Sequence, residues 1–297
     1  MLLKIKNAVK RNKFLLNLLI PLVDNRIPFY IHRLFNNSFN IKFLNGKTIK
    51  MYSKGQIALS IFSKKFEKQE VDVLQRIIKK GMTIVDAGAN IGFYSLIASG
   101  LVGPTGKVIS FEPSKETFTR LLDNIKLNEF SNIIPFNNGL GDKANEKLVL
   151  RQDVGYKDAE RYLFPGNKAP DTKIENISIL QRKEEVILDT LDNCLKNLNI
   201  TKVDFIKIDT EGYEYYILKG AKNILQNSPE AILLMECTAS GAARVSTTQE
   251  IIFSMLKEFG LNIFYWNTIL NDWCDDEAGI LEAGNVWGCK DKNQLSF

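Results

Sequence analysis

Short buried strands alternate with amphipathic helices from about residue 67 onward, and this alternation constrains the fold more than any other feature of the sequence. Seven strands are predicted, at 83–87, 107–111, 133–137, 203–208, 231–235, 262–266 and 285–288. Helices are predicted at 67–80, 93–99, 115–127, 213–225 and 248–258. Strands that alternate with helices form a mostly parallel sheet covered by helices on both faces. Such an α/β fold binds its ligand beyond the carboxyl ends of the strands.

The 297-residue chain has a net charge of +5, but its charges are unevenly distributed. Residues 1–68 hold 14 Lys and Arg against 2 Asp and Glu, so this segment carries 14 − 2 = +12. The remainder carries 25 − 32 = −7 and is rich in Ile, Leu and Phe, which excludes a uniformly basic nucleic-acid coat protein and a disordered chain. We predict a basic N-terminal extension at 1–66 and a main domain at 67–297.

The N-terminal extension joins basic residues to an apolar run at 14–23. No signal-cleavage pattern follows the run, and it is too short to span a bilayer. Two interpretations stay open: a helix within residues 1–23 that packs on its own domain, or a basic amphipathic helix on an anionic membrane surface. We therefore expect a cytoplasmic protein, with peripheral membrane contact in the second interpretation. Residues 41–52 predict a β-hairpin around Asn45-Gly46.

Residues 151–185 interrupt the alternation and are predicted to be an insertion with a hairpin of its own. The insertion is either a solvated surface loop or a cover over the substrate.

Several kinds of catalytic centre are excluded by composition. The one histidine, His32, lies in the basic extension, so the main domain cannot build a histidine triad, a two-histidine metal site or a histidine base. The four cysteines form no C-x-x-C pair, which disfavours a zinc site and a disulfide framework.

A glycine-rich turn joins the first strand of the main domain to the next helix. Gly88 and Gly92 allow the backbone to approach a ligand closely, and the acidic Asp86 precedes them. The spacing is G-x-N-x-G rather than the dinucleotide pattern G-x-G-x-x-G. A carboxylate at this turn disfavours a pyrophosphate and favours a ligand with an ammonium group, such as S-adenosylmethionine. Glu112, at the end of the second strand, is placed to accept hydrogen bonds from ribose hydroxyls.

Residues 81–94, the sequence Phe111-Glu112-Pro113 and residues 207–214 together resemble the FkbM family of S-adenosylmethionine-dependent methyltransferases. The resemblance extends from about residue 66 to residue 237. It implies the class I methyltransferase fold, a Rossmann-like, mostly parallel seven-stranded sheet with one antiparallel strand near the C-terminus. It also implies O-methylation of a sugar or secondary metabolite.

Carried over to this sequence, the resemblance assigns cofactor contacts to six residues. The methionine half would lie against Asp86, Gly88, Asn90 and Gly92, the ribose against Glu112, and the adenine against Asp142. Glu67 matches a recurrent acidic position of the family, without an assigned role.

Acidic residues cluster where the fourth strand ends. Transfer of a methyl group to a hydroxyl requires the acceptor to be held in line and its proton to be removed. Asp209 or Glu211 is the predicted base, with Lys207 as an alternative if its pKa is lowered, and Glu236 is a further candidate at the pocket edge. Alternatively, Asp209, Glu211 and Glu214 could hold a divalent cation that binds a diol acceptor.

The acceptor atom is predicted to be oxygen, because the fourth strand lacks the Asn-Pro-Pro-Tyr and Asp-Pro-Pro-Tyr motifs of amino-group methyltransferases and no Pro-Cys nucleophile is present. A glycan or small molecule is the expected acceptor. An RNA methyltransferase is the alternative, motivated by the +12 segment, although nucleic acid is the less favoured partner. A non-enzymatic binding module and a dehydrogenase are disfavoured. The sequence leaves the oligomeric state open.

Overall fold

The structure is a computed structural model that describes residues 38–42, 47–52, 66–153, 161–164 and 181–295. The predicted helix within 1–23, the Asn45-Gly46 turn and most of the 151–185 insertion lie outside the described residues. The described strands are β1 (Ser38–Lys42), β2 (Thr48–Tyr52), β3 (Thr83–Ala87), β4 (Lys107–Phe111), β5 (Ile133–Phe136), β6 (Gly139–Leu140), β7 (Glu146–Asp153), β8 (Arg161–Phe164), β9 (Gln181–Asp189), β10 (Phe205–Ile208), β11 (Ile232–Glu236), β12 (Asn262–Asn267), β13 (Asp272–Cys274) and β14 (Asn285–Cys289).

The described helices are α1 (Lys68–Ile77), α2 (Phe93–Val102), α3 (Lys115–Leu127), α4 (Leu191–Asn197), α5 (Glu214–Lys219), α6 (Lys222–Asn227), α7 (Ala239–Arg244), α8 (Gln249–Glu258) and α9 (Glu277–Glu282). A 3-10 turn follows at Lys292–Leu295. Among these residues, no helix is long and apolar enough to cross a membrane.

The central sheet has the order β13-β12-β14-β11-β10-β3-β4-β5. The five strands from β11 to β5 are parallel, β14 runs antiparallel to β11, and β12 runs antiparallel to β14. The predicted α/β fold with a mostly parallel sheet is confirmed. The predicted count of seven strands was one too low, because β13 adds a second antiparallel strand at the edge. Three residues are too few for alternation to reveal a strand in the sequence.

Helices cover both faces of the sheet, and successive side chains of a strand point to opposite faces. In β3, Val85 packs in a core with α4, α5, α6 and α8, whereas Ile84 packs in a second core with α1 and α2. Asp86 therefore follows Ile84 toward the α1 and α2 face.

A helix predicted over 213–225 is in fact two helices, α5 and α6, separated at Gly220 and Ala221. The chain passes so close to Gly141 here that a side chain at position 220 would meet the Gly141 carbonyl oxygen at 2.0 Å. This long-range contact, which local periodicity does not report, interrupts the helix.

The insertion contributes to a second, four-stranded sheet with the order β6-β9-β7-β8. Strands β7 and β8 pair antiparallel, which confirms the predicted hairpin within the part that the structure describes. Leu150 of β7 reaches the pocket described below.

The N-terminal hairpin is confirmed as a pair of antiparallel strands, with Ile41 opposite Ile49. Ile49 is fully buried and shares a core with α1 and α2, so the hairpin is packed on the main domain. Asn124 of α3 fixes it there: its Oδ1 accepts from the Lys50 N–H at 2.7 Å, and its Nδ2 donates to the Ile91 carbonyl at 2.8 Å.

Replacing Asn124 by Ala should lower the free energy of unfolding by about 2 to 3 kcal/mol, because it leaves a buried donor and a buried acceptor without partners. Denaturant unfolding measures the change. The matched control is Asp123→Asn on the same helix, which removes an exposed ion pair with Lys50 and should cost less than about 0.5 kcal/mol. Equal losses in the two variants would contradict the proposed role of Asn124.

Candidate active site

A cavity of about 240 Å³ opens at the carboxyl ends of β3, β4, β10 and β11. This is the position that the strand order of the α/β fold predicts for a ligand. Its walls combine the glycine turn after β3, the end of β4, and an acidic group from the ends of β10 and β11. Residues outside these strand ends also line it, namely Phe66 and Glu67, Thr117 and Arg120 of α3, Gly139 and Leu140, and Leu150 of β7.

The glycine turn is held rigidly against both neighbouring strands. The Gly88 N–H donates to the Phe111 carbonyl at 3.0 Å, and the Asp209 N–H donates to the Ala87 carbonyl at 3.0 Å. Gly88 has φ +82°, and a Cβ there would lie 1.8 Å from the Asp209 carbonyl oxygen. Only glycine fits this turn, and its backbone consequently lies open to the cavity. Of the glycine-turn residues expected to contact the cofactor, Gly88 and Asn90 line the cavity and Gly92 lies outside the lining.

Glu112 is fixed by the backbone of two loops. Its Oε2 accepts from the Asn90 N–H and its Oε1 from the Ser114 N–H, each at 3.0 Å. The residue is only 6% exposed but lines the cavity. Glu112 therefore presents a fixed carboxylate to the cavity, and a carboxylate is the group that accepts hydrogen bonds from ribose hydroxyls in related folds.

Asp86 lies behind the turn rather than in the cavity lining. It is 2% exposed, and its Oδ2 accepts from the Ser95 hydroxyl at 2.5 Å. Burial raises the pKa of this carboxyl, and Lys207 and Ser95 oppose the rise. Among the described residues, Oδ1 has no hydrogen-bond partner. A buried, unpaired carboxylate oxygen at this turn fits a cationic ligand.

The segment that was expected to reach adenine does reach the cavity, but through Gly139 and Leu140 rather than Asp142. The Asp142 carboxylate instead forms an ion pair with Lys219 of α5 at 2.9 Å. Nothing in this placement supports an adenine contact by Asp142.

Lys207 and Asp209 form a pair at the end of β10, where Nζ donates to Oδ2 at 2.9 Å. Lys207 is 5% exposed. Burial alone would lower the pKa of Lys207, but the carboxylates of Asp209, Asp86 and Glu67 raise it above its ordinary value. Lys207 was an alternative base only if its pKa were lowered, and this condition is not met because the three carboxylates favour the ammonium form. Asp209 lines the cavity with its carboxylate about one-third exposed.

Asp209, Glu211 and Glu236 bring carboxylate oxygens within 4.8 Å of one another. Burial raises the pKa of Glu236 to about 8, and the nearby carboxylates of Asp209 and Glu211 add to the effect. Glu211 also approaches the Arg244 guanidinium, with 3.6 Å between Nη1 and Oε2. The spacing of the three acids suits either a proton acceptor with acidic neighbours or a divalent cation.

Glu214 does not belong to this acidic group, contrary to the predicted cation-binding set. Its Oε1 accepts from the Thr210 N–H and hydroxyl at 3.0 Å and from the Gly212 N–H at 3.1 Å. It is 2% exposed, so it closes the turn at the start of α5. Glu236, from the neighbouring strand, occupies the third position instead.

Aromatic residues that the sequence analysis did not assign to the site line one wall of the cavity. Phe66 and Phe93 meet edge to face with ring centroids 5.0 Å apart. Tyr94 donates its hydroxyl to Glu67, and the Lys207 Nζ lies 4.6 Å from the Tyr94 ring centroid. The direct adjacency of Phe93 and Tyr94 to the glycine turn was the signal available in the sequence.

The model of the methyltransferase FkbM domain matches residues 86–261, more than half of the chain. The chain belongs to the FkbM methyltransferase domain family. The family match and the mostly parallel sheet together confirm the class I methyltransferase fold that the resemblance implied.

Two curated relatives are similar to about half of this chain. Methyltransferase 1 of Beauveria bassiana is 26% identical over 173 residues, and hexuronic acid methyltransferase AglP of Haloferax volcanii is 25% identical over 161 residues. Each alignment covers 53% of this chain, which spans 66% and 59% of the lengths of the two relatives. A solved structure of methyltransferase FkbM from Methylobacillus flagellatus has 17% identity and a TM-score of 0.41, covering 70% of this chain and 43% of its own.

The residues that line the cavity fit S-adenosylmethionine. Glu112 would accept hydrogen bonds from the ribose, the Gly88 to Asn90 backbone would allow a close approach, and acidic residues surround the end of β10. The unpaired Asp86 oxygen lies beneath this turn, where it favours positive charge.

Proposed function

We propose that this protein is an S-adenosylmethionine-dependent methyltransferase that methylates a hydroxyl group of a sugar or a related secondary metabolite. The observation that carries the proposal is the joining, in one cavity, of the fixed Glu112 carboxylate, the open glycine turn and the Asp209 carboxylate. The relative named hexuronic acid methyltransferase supports a sugar acceptor.

When bound, S-adenosylmethionine supplies a methyl group that its positively charged sulfur has already activated. Asp209 would accept the proton of the acceptor hydroxyl, and Lys207 would hold the carboxylate in place. Phe66 and Phe93 would exclude water from the reacting groups. Glu112 would fix the ribose and so align the methyl group with the acceptor oxygen.

The acceptor side of the cavity favours a neutral polyhydroxy compound. Asp209, Glu211 and Glu236 line this region, and a further carboxylate on the acceptor would be repelled by them. Sugar hydroxyls can instead donate hydrogen bonds to these carboxylates, and sugar C–H groups can pack on Phe66 and Phe93. We therefore expect neutral sugars to react better than hexuronates unless a divalent cation bridges the acids.

An RNA acceptor is the alternative and depends on the +12 charge of residues 1–68. Most of these residues lie outside the described part of the chain, and the acids at the cavity would repel phosphates. RNA binding that weakens steeply with salt, together with methylation of that RNA, would favour this alternative.

Calorimetric titration with S-adenosylhomocysteine, followed by transfer of labelled methyl groups to neutral sugars, hexuronates, phenols and RNA, tests the proposal. We expect saturable binding of S-adenosylhomocysteine. Methyl label should be transferred only to compounds with a hydroxyl group, and neutral sugars should receive more label than the other acceptors. Glu112→Gln should weaken binding about tenfold or more, because it removes the charge that accepts the ribose hydrogen bonds.

The control for that variant is Glu230→Gln, an exposed residue that pairs with Lys290 outside the cavity lining, and this variant should bind as the wild type does. Failure of the wild-type protein to bind S-adenosylhomocysteine would refute the cofactor assignment. Labelling of RNA alone would refute the sugar acceptor.

A further inference from the structure

Glu67 is an acidic residue of the cavity that lies outside the glycine motif. It precedes α1, has a left-handed backbone with φ 41°, and lines the cavity together with Asp209. A left-handed conformation is costly for a residue with a side chain and persists where the surroundings fix it.

The described groups that face Glu67 carry more negative than positive charge. Among the described residues, the Tyr94 hydroxyl is the one hydrogen-bond donor to its carboxylate. The titratable and charged groups that face it are Lys207 of β10, Tyr94 of α2, Asp209 beyond β10, and Glu70 on its own helix. Lys207 is shared with two further acids, so one ammonium serves three carboxylates: Asp209, Asp86 and Glu67. Within the part of the chain that the structure describes, these carboxylates outnumber the ammonium groups beside them, and a cationic ligand would balance them.

The position of Glu67 indicates which part of the cofactor would supply that charge. Glu112 would hold the ribose at the end of β4, and the cavity extends from there across the glycine turn to the end of β10. The methionine end would therefore lie between the turn and β10, beside Glu67. This step rests on the proposed function.

We propose that Glu67 binds the ammonium group of the cofactor's methionine end and releases a proton when the cofactor binds. Glu67 would thus be a cofactor-binding residue supplied by the segment before α1, independent of the motif after β3. The Tyr94 hydroxyl would position its carboxylate.

The electrostatics of the free protein agree with this role. Burial raises the pKa of Glu67 to about 7, and Lys207 and the Tyr94 hydrogen bond oppose the rise. A cation favours the charged form, so binding is weaker below this pKa, where the proton must first leave, and becomes stronger as the pH rises through it.

Calorimetric titration with S-adenosylhomocysteine and with 5′-methylthioadenosine, which lacks the amino acid, tests the proposal. For the wild-type protein, affinity for S-adenosylhomocysteine should rise about tenfold from about pH 6 to about pH 7.5, whereas affinity for 5′-methylthioadenosine should stay constant. Glu67→Gln should weaken S-adenosylhomocysteine binding about ten- to hundredfold at the higher pH and abolish the pH dependence. Binding of 5′-methylthioadenosine should be unchanged in this variant.

Two further variants protect the test against a folding defect. Asp72→Asn changes a carboxylate on the same helix that forms an exposed pair with Lys68, and it should behave like the wild-type protein. Tyr94→Phe removes the hydrogen bond that lowers the pKa of Glu67, so the pH at which binding strengthens should rise. If Glu67→Gln does not fold, the pH shift in Tyr94→Phe tests the proposal in its place, and an unshifted pH dependence would contradict it.

The outcomes separate this inference from the proposed function. Unchanged S-adenosylhomocysteine binding and an unchanged pH dependence in Glu67→Gln would overturn the ammonium contact. Retained binding with loss of methyl transfer would also overturn it, because Glu67 would then act on the acceptor. If the wild-type protein bound neither ligand, the proposed function itself would fail.

Discussion

Gly88→Ala is expected to destabilise the protein by about 3 kcal/mol or more and to weaken S-adenosylhomocysteine binding at least about a hundredfold. The added Cβ would lie 1.8 Å from the carbonyl oxygen and 2.9 Å from the carbonyl carbon of Asp209. Both are backbone atoms. Hydrogen bonds hold the glycine turn to Phe111 of β4 and hold Asp209, after β10, to Ala87 of β3. The clash can be relieved only by moving the glycine turn or Asp209 itself. Thermal unfolding and calorimetric titration measure the two effects.

Gly260→Ala is the matched control for this prediction. Gly260 has φ +79°, close to that of Gly88, but a Cβ there meets nothing within 4 Å. The variant carries the backbone penalty alone, about 1 kcal/mol, and should bind the ligand normally. If both variants lost equal stability and Gly88→Ala retained affinity, close packing of the turn against Asp209 would not be a requirement of the site.

The strands of this fold could be predicted because their signals are local. β3, β4 and α3 lie at the predicted bounds, since short β-branched runs and amphipathic spacing each report on a few neighbouring residues. The break between α5 and α6 could not be predicted in this way. It depends on the approach of Gly220 to Gly141, which are far apart in the sequence.

In the candidate site, too, local sequence signals could be predicted and contacts that depend on the fold could not. The turn at Gly88, the acid at Glu112 and the strand end at Asp209 were predicted from position on a strand, and all three line the cavity. Alternation along β3 predicts that the Asp86 side chain points to the same face as Ile84, toward α2. In the sequence analysis, the Asp86 side chain was instead placed in the glycine turn. Glu236 replaces Glu214 because α5 turns Glu214 inward to cap its own loop, a contact that spacing does not report.

Asp209 has the geometry of a proton acceptor that is held by the ammonium group of Lys207. Its Oδ2 is engaged by Lys207 at 2.9 Å, while about one-third of the side chain remains accessible from the cavity. The alternative is a divalent cation shared with Glu211 and Glu236. A chelator separates the two, because activity that persists in EDTA excludes a required metal ion, and restoration by Mg²⁺ after EDTA would establish one.

Asp209→Asn should lower kcat by about 10²- to 10⁴-fold and leave S-adenosylhomocysteine binding within a few-fold of wild type, because the amide keeps an oxygen for Lys207 but cannot accept a proton. Asp204→Asn is the control: Asp204 lies at the opposite end of the same strand, accepts from the Thr83 N–H at 2.7 Å, and should leave kcat unchanged. Single-turnover methyl transfer with a reactive sugar measures the chemical step. If Asp209→Asn retained full kcat while Glu211→Gln lost it, the base would be Glu211, since both carboxylates line the same cavity.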